Sequence, residues 1–408
     1  MRENTERSSE VYAKQRAMRM FHSVWPFVYA AVLFALIGWL NLLTADDKQY
    51  SGLAEAFLSG KLELISPPRD NWADTAPFDG HHYSALGPFP ALMLMPLIWT
   101  GLFHQGVISF LGTLIVFWQC LRLTRKFGYT HHESCWFALA FCFGTSFVGV
   151  AAIATSNHLT HIVSVILLFF AILEYGGKRR LPLIGGLIGL ATATRVPAGL
   201  NIIFFVLAIC SAAGNLRRKG LKLASLLLPF CTLVGILAVY NFARFQNPFE
   251  SGYGLQVNGF GLAYSLWDVP GNTAGPALSL SNIPKHLWIF LAGLPSYRGI
   301  GTSVLLVSPF LAYLIPMATW DFVNKLIVIN CLIVLLVDMA FRSTGFEQMG
   351  YRFSLDFFPF VFWLMVRSKL RLTTSFKTLI LLATVVDIVL TLYHMGTVPL
   401  RRALDNTP

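Results

Sequence analysis

The chain has 408 residues, of which 55% are hydrophobic and only 12% are charged. So few charged residues cannot coat a soluble globule of this size, so the composition argues against a large soluble protein. The net charge of +11 would suggest a nucleic-acid partner in a soluble chain. Here the lysines and arginines are grouped in short loops between apolar runs, as in cytoplasmic loops of membrane proteins, and we expect no nucleic-acid partner.

The chain begins with a polar segment, residues 1–24, followed by an apolar run at 25–44 that is long enough to cross a bilayer. This run is too long for a signal-peptide core, so we expect it to remain as an anchor among membrane lipids. Hydropathy predicts further spans at 106–123, 134–154, 158–175, 181–196, 198–213, 221–241, 302–319, 324–341, 353–366 and 377–396. The predicted fold class is therefore an all-α polytopic membrane protein with about 11 transmembrane helices. We expect many of its 34 phenylalanines to face lipid.

The topology depends on a shorter, proline-rich apolar stretch at 88–100. If this stretch lies in the membrane interface, every basic loop falls on the side of the N-terminus. We therefore predict interfacial helices in a first outer loop, 45–105, and a second long outer loop, 242–301. The N-terminus would be cytoplasmic and the membrane the plasma (inner) membrane. Residues 25–396 would form one transmembrane domain, followed by a C-terminal tail, 397–408.

An acidic pair, Asp46 and Asp47, follows the first span directly, with Tyr50 shortly after it. Leu53, Ala54, Phe57 and Leu58 then recur at helical spacing, which predicts an amphipathic helix on the membrane surface. The pair could cap this helix at its N-terminus. Alternatively, one carboxylate in a partly desolvated cleft could deprotonate an acceptor hydroxyl.

A second polar group, Asp79, His81, His82 and Tyr83, precedes the interfacial stretch. An aspartate with two histidines could hold a divalent metal, or the histidines could bind phosphate. The adjacent histidines are poorly spaced for chelation on a helix. A polar loop without a special role is the alternative.

Further polar residues lie at the predicted outer ends of the spans. His158 opens the fourth span, with His161 on the same helix face, and Arg195 ends the fifth. Arg298 and Arg352 each follow a tyrosine in the outer segments. Each arginine alone could be an interface anchor, whereas together they could surround a lipid phosphate.

Other polar side chains fall inside the apolar runs. Asp338 and Asp387 are costly there unless they are paired. The six cysteines lie in or beside spans without metal-ligand spacing, so we interpret them as buried small hydrophobic residues.

Taken in order, these motifs resemble the GT-C superfamily of membrane glycosyltransferases, in its protein-mannosyltransferase-like and aminoarabinose-transferase-like branch. That branch often has an acidic pair followed by xxYxxLA after the first span, here DDKQYSGLA. The resemblance extends to Gly80 and Tyr83 with the PFPAL that follows, to FARFQNPFESGY with Tyr253, to SYRG and to GYRFSLDFFPF. It covers about residues 25–366.

The resemblance implies an inverting hexosyl- or pentosyltransferase with a polyprenyl-phosphate sugar as donor and a hydroxyl of a glycan, lipid or protein as acceptor. It implies that Asp46 is the catalytic base, with Asp47 as a second carboxylate where glutamate is more usual. The substrate-binding residues would be Tyr50, Asp79, His81, His82, Tyr83, His158, Arg195, Tyr253, Arg298 and Arg352.

Three other functions are compatible with parts of the pattern. A flippase or transporter of lipid-linked saccharides would distribute polar residues through the spans and on both faces. An O-antigen ligase or polymerase would also use outer arginines and histidines, but the acidic pair would then have no purpose. A structural membrane subunit would need the aspartates only as helix caps.

Overall fold

The computed structural model describes residues 24–44, 48–68, 72–256, 278–294, 302–317, 320–344 and 350–405. The helices are α1 (Val24–Thr44), α2 (Gln49–Leu58), α3 (Phe89–Trp99), α4 (Gln105–Lys126), α5 (His131–Phe143), α6 (Phe147–Ala152), α7 (Ser156–Tyr175), α8 (Leu181–Thr192), α9 (Val196–Gly199), α10 (Ile202–Ser211), α11 (Leu216–Phe245), α12 (Ile283–Ala292), α13 (Val304–Val307), α14 (Leu314–Met317), α15 (Phe322–Ala340), α16 (Phe358–Arg367) and α17 (Thr374–Asp405). Short 3₁₀ helices cover Leu280–Asn282, Pro309–Tyr313 and Arg352–Asp356. Two strands, β1 (Thr75–Phe78) and β2 (His81–Ser84), form a hairpin.

The predicted all-α polytopic membrane fold is confirmed. Within the described ranges, six helices are long and apolar enough to cross a bilayer, namely α1, α4, α7, α11, α15 and the apolar part of α17. The predicted interfacial stretch forms α3, whose 11 residues span only about 16 Å. Leu92, Met93 and Trp99 are exposed on it, as suits a helix that contacts the membrane interface.

Several predicted spans are broken helices. The predicted span 134–154 forms α5 and α6, which are separated at Gly144. The break is stabilised by side chains, because Ser308 donates to the Gly144 carbonyl at 2.9 Å and Thr145 donates to the Phe141 carbonyl at 2.7 Å. Non-helical backbone at membrane depth requires such partners, since lipid offers none.

Helix α11 packs against α8 through glycines. A Cβ atom at Gly185 would lie 1.9 Å from the Leu226 carbonyl oxygen, and one at Gly189 would lie 2.8 Å from a Leu233 methyl carbon. This Gly-x-x-x-Gly spacing allows two membrane helices to approach closely. The other faces of α11 carry exposed leucine, isoleucine and valine side chains, as lipid contact requires.

Phenylalanines form much of the protein core, which corrects the expectation that many of them face lipid. Phe141, Phe169 and Phe362 meet edge to face, with ring centroids 5.0–5.6 Å apart. Ten of the twelve largest fully buried side chains among the described residues are phenylalanine. A lipid-facing apolar residue and a buried one have the same hydropathy, so composition does not distinguish them.

Helix α4 joins the two ends of the helical bundle, and the predicted basic loops lie at one of them. Helix α4 begins where Gln105 donates to the Ala154 carbonyl at 2.8 Å, and it ends where Lys126 donates to the Leu173 carbonyl at 2.8 Å. Its 22 residues separate these contacts by about 33 Å. The loop after α4 also meets the loop after α16, because Tyr129 donates to the Leu370 carbonyl at 3.2 Å. We call this the basic end, and the opposite end, at Gln105 and Ala154, the site end.

The segment between α2 and α3 is more ordered than a plain polar loop. Strands β1 and β2 pair antiparallel, with Phe78 opposite His81. Asp79 and Gly80 make the turn with φ of 49° and 75°. A two-residue hairpin turn with two positive φ angles favours this Asp-Gly dipeptide.

Candidate active site

The predicted outer segments meet at the site end. Thr44, the last residue of α1, donates to the Ala152 carbonyl at 3.3 Å and accepts from the Ala154 amide at 2.9 Å. The Tyr50 amide donates to the Ser156 hydroxyl at 3.1 Å. Both flanks of the acidic pair are therefore bound to the junction between α6 and α7. Asp46 and Asp47 themselves lie outside the described residues, as does Arg298.

Tyr50 is fully buried at this junction. Its hydroxyl shares a 2.6 Å hydrogen bond with the Thr160 hydroxyl. The predicted helix after the acidic pair is α2, which begins at Gln49 with Lys48 as its N-cap. Tyr50 therefore fixes the start of α2 against the first turns of α7.

Arg195 lies at the break between α8 and α9, where it forms a buried ion pair with Asp356. The Arg195 Nε atom lies 2.8 and 3.1 Å from the two carboxylate oxygens, and an Nη atom lies 2.8 Å from Oδ2. The arginine side chain is 11% exposed and the aspartate is completely buried. A bidentate pair of this kind fixes the orientation of the guanidinium.

Two asparagines extend this network into the bundle. Asn201 donates to the Asp356 backbone carbonyl at 2.7 Å, and Asn330 donates to the Asn201 side-chain oxygen at 2.7 Å. The chain from Arg195 through Asp356 thus reaches α15. A buried network with satisfied partners holds its members in one arrangement.

The ring of Phe353 is surrounded by cations and an imidazole. The guanidinium carbons of Arg195 and Arg352 lie 5.2 and 5.6 Å from its centroid. The His161 ring stacks on it at 6.1 Å with an interplanar angle of 22°. Two of the three predicted arginines therefore converge on one aromatic side chain, within the usual range for cation–π contacts.

The two histidines of α7 have different surroundings. His158 lies one turn before His161 and shares a 2.5 Å hydrogen bond with the Thr155 hydroxyl. Thr155 is the N-cap of α7, so His158 is part of the helix start. His161, which the sequence places on the same face, is the one that stacks on Phe353, beside which both arginines lie.

Tyr253 approaches the same cluster from the loop after α11. Its ring meets Phe341 edge to face at 5.9 Å, and Phe341 in turn meets Phe353 at 6.0 Å. Burial raises the pKa of the Tyr253 hydroxyl, and the nearby positive charges of Arg195 and Arg352 partly oppose this rise. Tyr253 therefore lies within electrostatic range of both arginines.

The intramembrane aspartates have different surroundings. Asp338 is buried near Asp356 and Arg195. These two residues are the charged neighbours that the sequence could not identify. Asp387 lies in α17, and neither of its carboxylate oxygens has a hydrogen-bond partner in the part of the chain described. Only Asp338 belongs to the cluster around Arg195.

The four predicted hairpin residues differ in burial and in their partners. The His82 ring stacks on Trp72 at 4.3 Å, and its Nδ1 atom lies 2.9 Å from the Thr75 hydroxyl. Burial lowers the pKa of His82 and raises that of Tyr83. Asp79 is in the turn, and His81 is exposed. Among the described residues, no three His, Cys, Asp or Glu side chains gather as metal ligands would.

A buried arginine that we did not predict joins the hairpin to α11. Arg244 donates to the Ser84 carbonyl at 2.7 Å and to the Asn241 side chain at 2.8 Å. Its guanidinium carbon lies 3.9 Å from the centroid of Tyr240. The arginine thereby positions the hairpin against the end of α11.

Asp356, Phe353 and His161 were also absent from the predicted site. Asp356 and Phe353 both lie in the GYRFSLDFFPF motif beside Arg352, so the motif itself was the available signal. His161 differed from His158 only by three positions on the same helix. Nothing in the local sequence indicates which of the two faces the arginines.

The fold is similar to that of ArnT from Cupriavidus metallidurans, whose crystal structure was determined bound to undecaprenyl phosphate. The TM-score is 0.50 and the sequence identity is 14%, with 86% of this chain and 61% of that chain covered. This chain therefore spans less than two thirds of the ArnT chain. No protein-family model and no curated protein sequence matches it. At this identity the similarity concerns the fold alone: the chain has an ArnT-like membrane fold, in agreement with the GT-C resemblance of its motifs.

Proposed function

We propose that this chain is an integral-membrane inverting glycosyltransferase that moves a sugar from a polyprenyl-phosphate donor to an acceptor hydroxyl. The observation that carries the proposal is the convergence of Arg195 and Arg352 on Phe353 at the site end. ArnT, which shares the fold, was solved with undecaprenyl phosphate bound, and this supports a lipid-phosphate ligand here. The acceptor would be a glycan, a lipid or a protein.

The geometry suits the recognition of a phosphate group. Arg195 is oriented by Asp356 before any ligand arrives, so little side-chain entropy is lost on binding. Arg352 adds a second guanidinium beside the same ring. Guanidinium groups present planar donor pairs that match phosphate oxygens. Arg298 would join them from the second outer loop.

We propose Asp46 as the base of a single displacement. The acceptor oxygen attacks the anomeric carbon from the face opposite the phosphate, while Asp46 takes the hydroxyl proton and the bond between anomeric carbon and phosphate oxygen breaks. The lipid phosphate leaves already paired with cations, so no strong acid is needed. One displacement inverts the anomeric centre and uses one base, in contrast to the carboxylate pair of a glycosidase.

The remaining predicted residues would line the acceptor side. The hairpin that carries Asp79, His81, His82 and Tyr83 follows Asp74, whose carbonyl accepts from Gln49 of α2 at 3.1 Å. Tyr253 lies against Phe341, which in turn meets Phe353 beside the arginines. Asp47 would support the base. Dependence on a divalent metal would be tested by chelation.

We propose that the site end faces outward and the basic end faces the cytoplasm. The collection of lysines and arginines at the basic end supports this orientation. The membrane would be the plasma (inner) membrane. Cysteine labelling from either side of sealed vesicles would check the orientation, with a reporter cysteine at Lys178 for the basic end and one at Lys61 for the site end.

The proposal is tested by incubating the purified protein in lipid vesicles with a panel of polyprenyl-phosphate sugars and acceptors. We expect release of polyprenyl phosphate and a product with inverted anomeric configuration. A flippase would instead move the intact donor between leaflets without releasing polyprenyl phosphate. An O-antigen ligase or polymerase would require a donor that carries a saccharide chain on pyrophosphate.

A further inference from the structure

His161, in the cluster around Phe353, is buried without a hydrogen-bond partner for its ring nitrogens among the described residues. The residue is only 1% exposed. Buried polar atoms in proteins are nearly always partnered, so such a side chain calls for an explanation. A ligand that is absent from the structure would supply the partner.

The neighbours of His161 indicate the chemistry of that ligand. A neutral imidazole has one N–H donor and one acceptor nitrogen. Arg195 and Arg352, which lie beside the same Phe353 ring, have only donors. They cannot accept the N–H of His161, and two positive charges nearby disfavour a third on the imidazole. The missing group is therefore a hydrogen-bond acceptor, and an anionic one suits all three side chains.

The neighbouring polar residues of α7 do not combine an unpartnered polar atom with a contact to Phe353. His158, one turn earlier, is bonded to Thr155. Ser164, one turn later, also has a buried hydroxyl without a partner among the described residues, but it lies one turn further towards the basic end. His161 is the member of this row whose ring stacks on Phe353.

We propose that His161 is a third ligand of the anion site, and that it donates its N–H to a phosphate oxygen held by Arg195 and Arg352. This inference rests on the proposed function, since it assigns the phosphate group to that site. The shared chemistry is a phosphate ester, either of the polyprenyl carrier or of an ordinary phospholipid headgroup.

The test compares ligand binding with stability in His161→Phe, which keeps an aromatic ring against Phe353 but removes both nitrogens. Binding is titrated for undecaprenyl phosphate, phosphatidylglycerol and inorganic phosphate, and thermal unfolding is measured without ligand. His161→Asn and His161→Gln place an amide near Nδ1 and Nε2 respectively. Ser164→Ala is the matched control, because it removes an unpartnered buried polar atom from the same helix outside the cluster.

We expect His161→Phe to unfold at the same or a higher temperature and to bind the phosphate ester about tenfold or more weakly, the usual loss for a hydrogen bond to a charged group. One of the two amide variants should recover part of the affinity, and Ser164→Ala should bind as the wild type does. The ligand whose affinity falls identifies the source of the phosphate. Unchanged affinity in His161→Phe would overturn the inference, and the proposed function would survive if Arg352→Gln still weakened binding. If the wild type bound phosphatidylglycerol but no polyprenyl phosphate, the proposed function would fail and the inference would stand, and if it bound none of the three ligands, both would fail.

Discussion

The Arg195–Asp356 pair allows a sharp test of the physical account of the site. In Asp356→Asn the side chain keeps its shape but loses its charge and one acceptor oxygen. In the wild type the Asp356 carboxylate accepts three hydrogen bonds from Arg195, at 2.8, 3.1 and 2.8 Å. An amide can accept with one oxygen only, and its NH₂ group would face the N–H groups of the guanidinium.

The expected loss of stability is large because the buried arginine loses the carboxylate that is hydrogen-bonded to it. Removing one partner of a buried ion pair typically costs about 3–5 kcal/mol, and the 11% exposure of Arg195 and the complete burial of Asp356 place this pair in that class. We expect the free energy of unfolding to fall by about this amount. The measurement is a titration of the purified protein in mixed micelles with dodecyl sulfate, followed by tryptophan fluorescence.

A second ion pair in the same chain provides the matched control. Arg180 and Glu174 make the same kind of bidentate contact, at 3.0 and 2.9 Å, but the Arg180 side chain is 57% exposed. We expect Glu174→Gln to have a much smaller effect, because water can solvate the arginine that this change leaves unpaired.

The double variant Arg195→Met with Asp356→Leu removes both charges together. It should recover most of the stability lost in Asp356→Asn, whereas binding of a phosphate ester should be weak because Arg195 is absent. The reasoning would be refuted if Asp356→Asn lost less than about 1 kcal/mol, or if the double variant were no more stable than the single one.

Three further predictions concern other parts of the molecule. Gly185→Ala should lower the free energy of unfolding by about 1–3 kcal/mol, because its Cβ would collide with a carbonyl of α11. The control Gly186→Ala places its Cβ in open space and should leave the stability unchanged. Equal effects of the two changes would contradict the packing of α8 against α11. Asp46→Asn should abolish sugar transfer without changing the unfolding temperature or donor binding, and Asp47→Asn should cost less; full activity in Asp46→Asn would sink the assignment of the base. Because burial lowers the pKa of His82 in the folded state, the stability it contributes is present above about pH 6.5, the ordinary pKa of histidine, and declines as the pH falls below it. The wild type should therefore lose more thermal stability than His82→Phe between about pH 6.5 and 5, and parallel curves for the two proteins would argue against this cause.

The membrane fold was predictable from hydropathy alone. Lipid offers no hydrogen-bond partners, so a spanning chain must consist of long apolar helices, and the sequence shows them directly. The basic loops and the short length of α3 were predictable for the same reason, because charge and span length depend on local composition. The family resemblance likewise came from short motifs whose order along the chain is a one-dimensional property.

The partners of the polar residues were decided by the tertiary structure. Arg195 and Asp356 are 161 positions apart, and no local period connects them. His158 and His161 share a helix face in the sequence, but His158 is bonded to the helix cap Thr155 whereas His161 stacks on Phe353. Periodicity determines which side of a helix a residue occupies, and hydropathy determines its depth. What that side meets depends on which helices pack together, and this is a property of the whole chain.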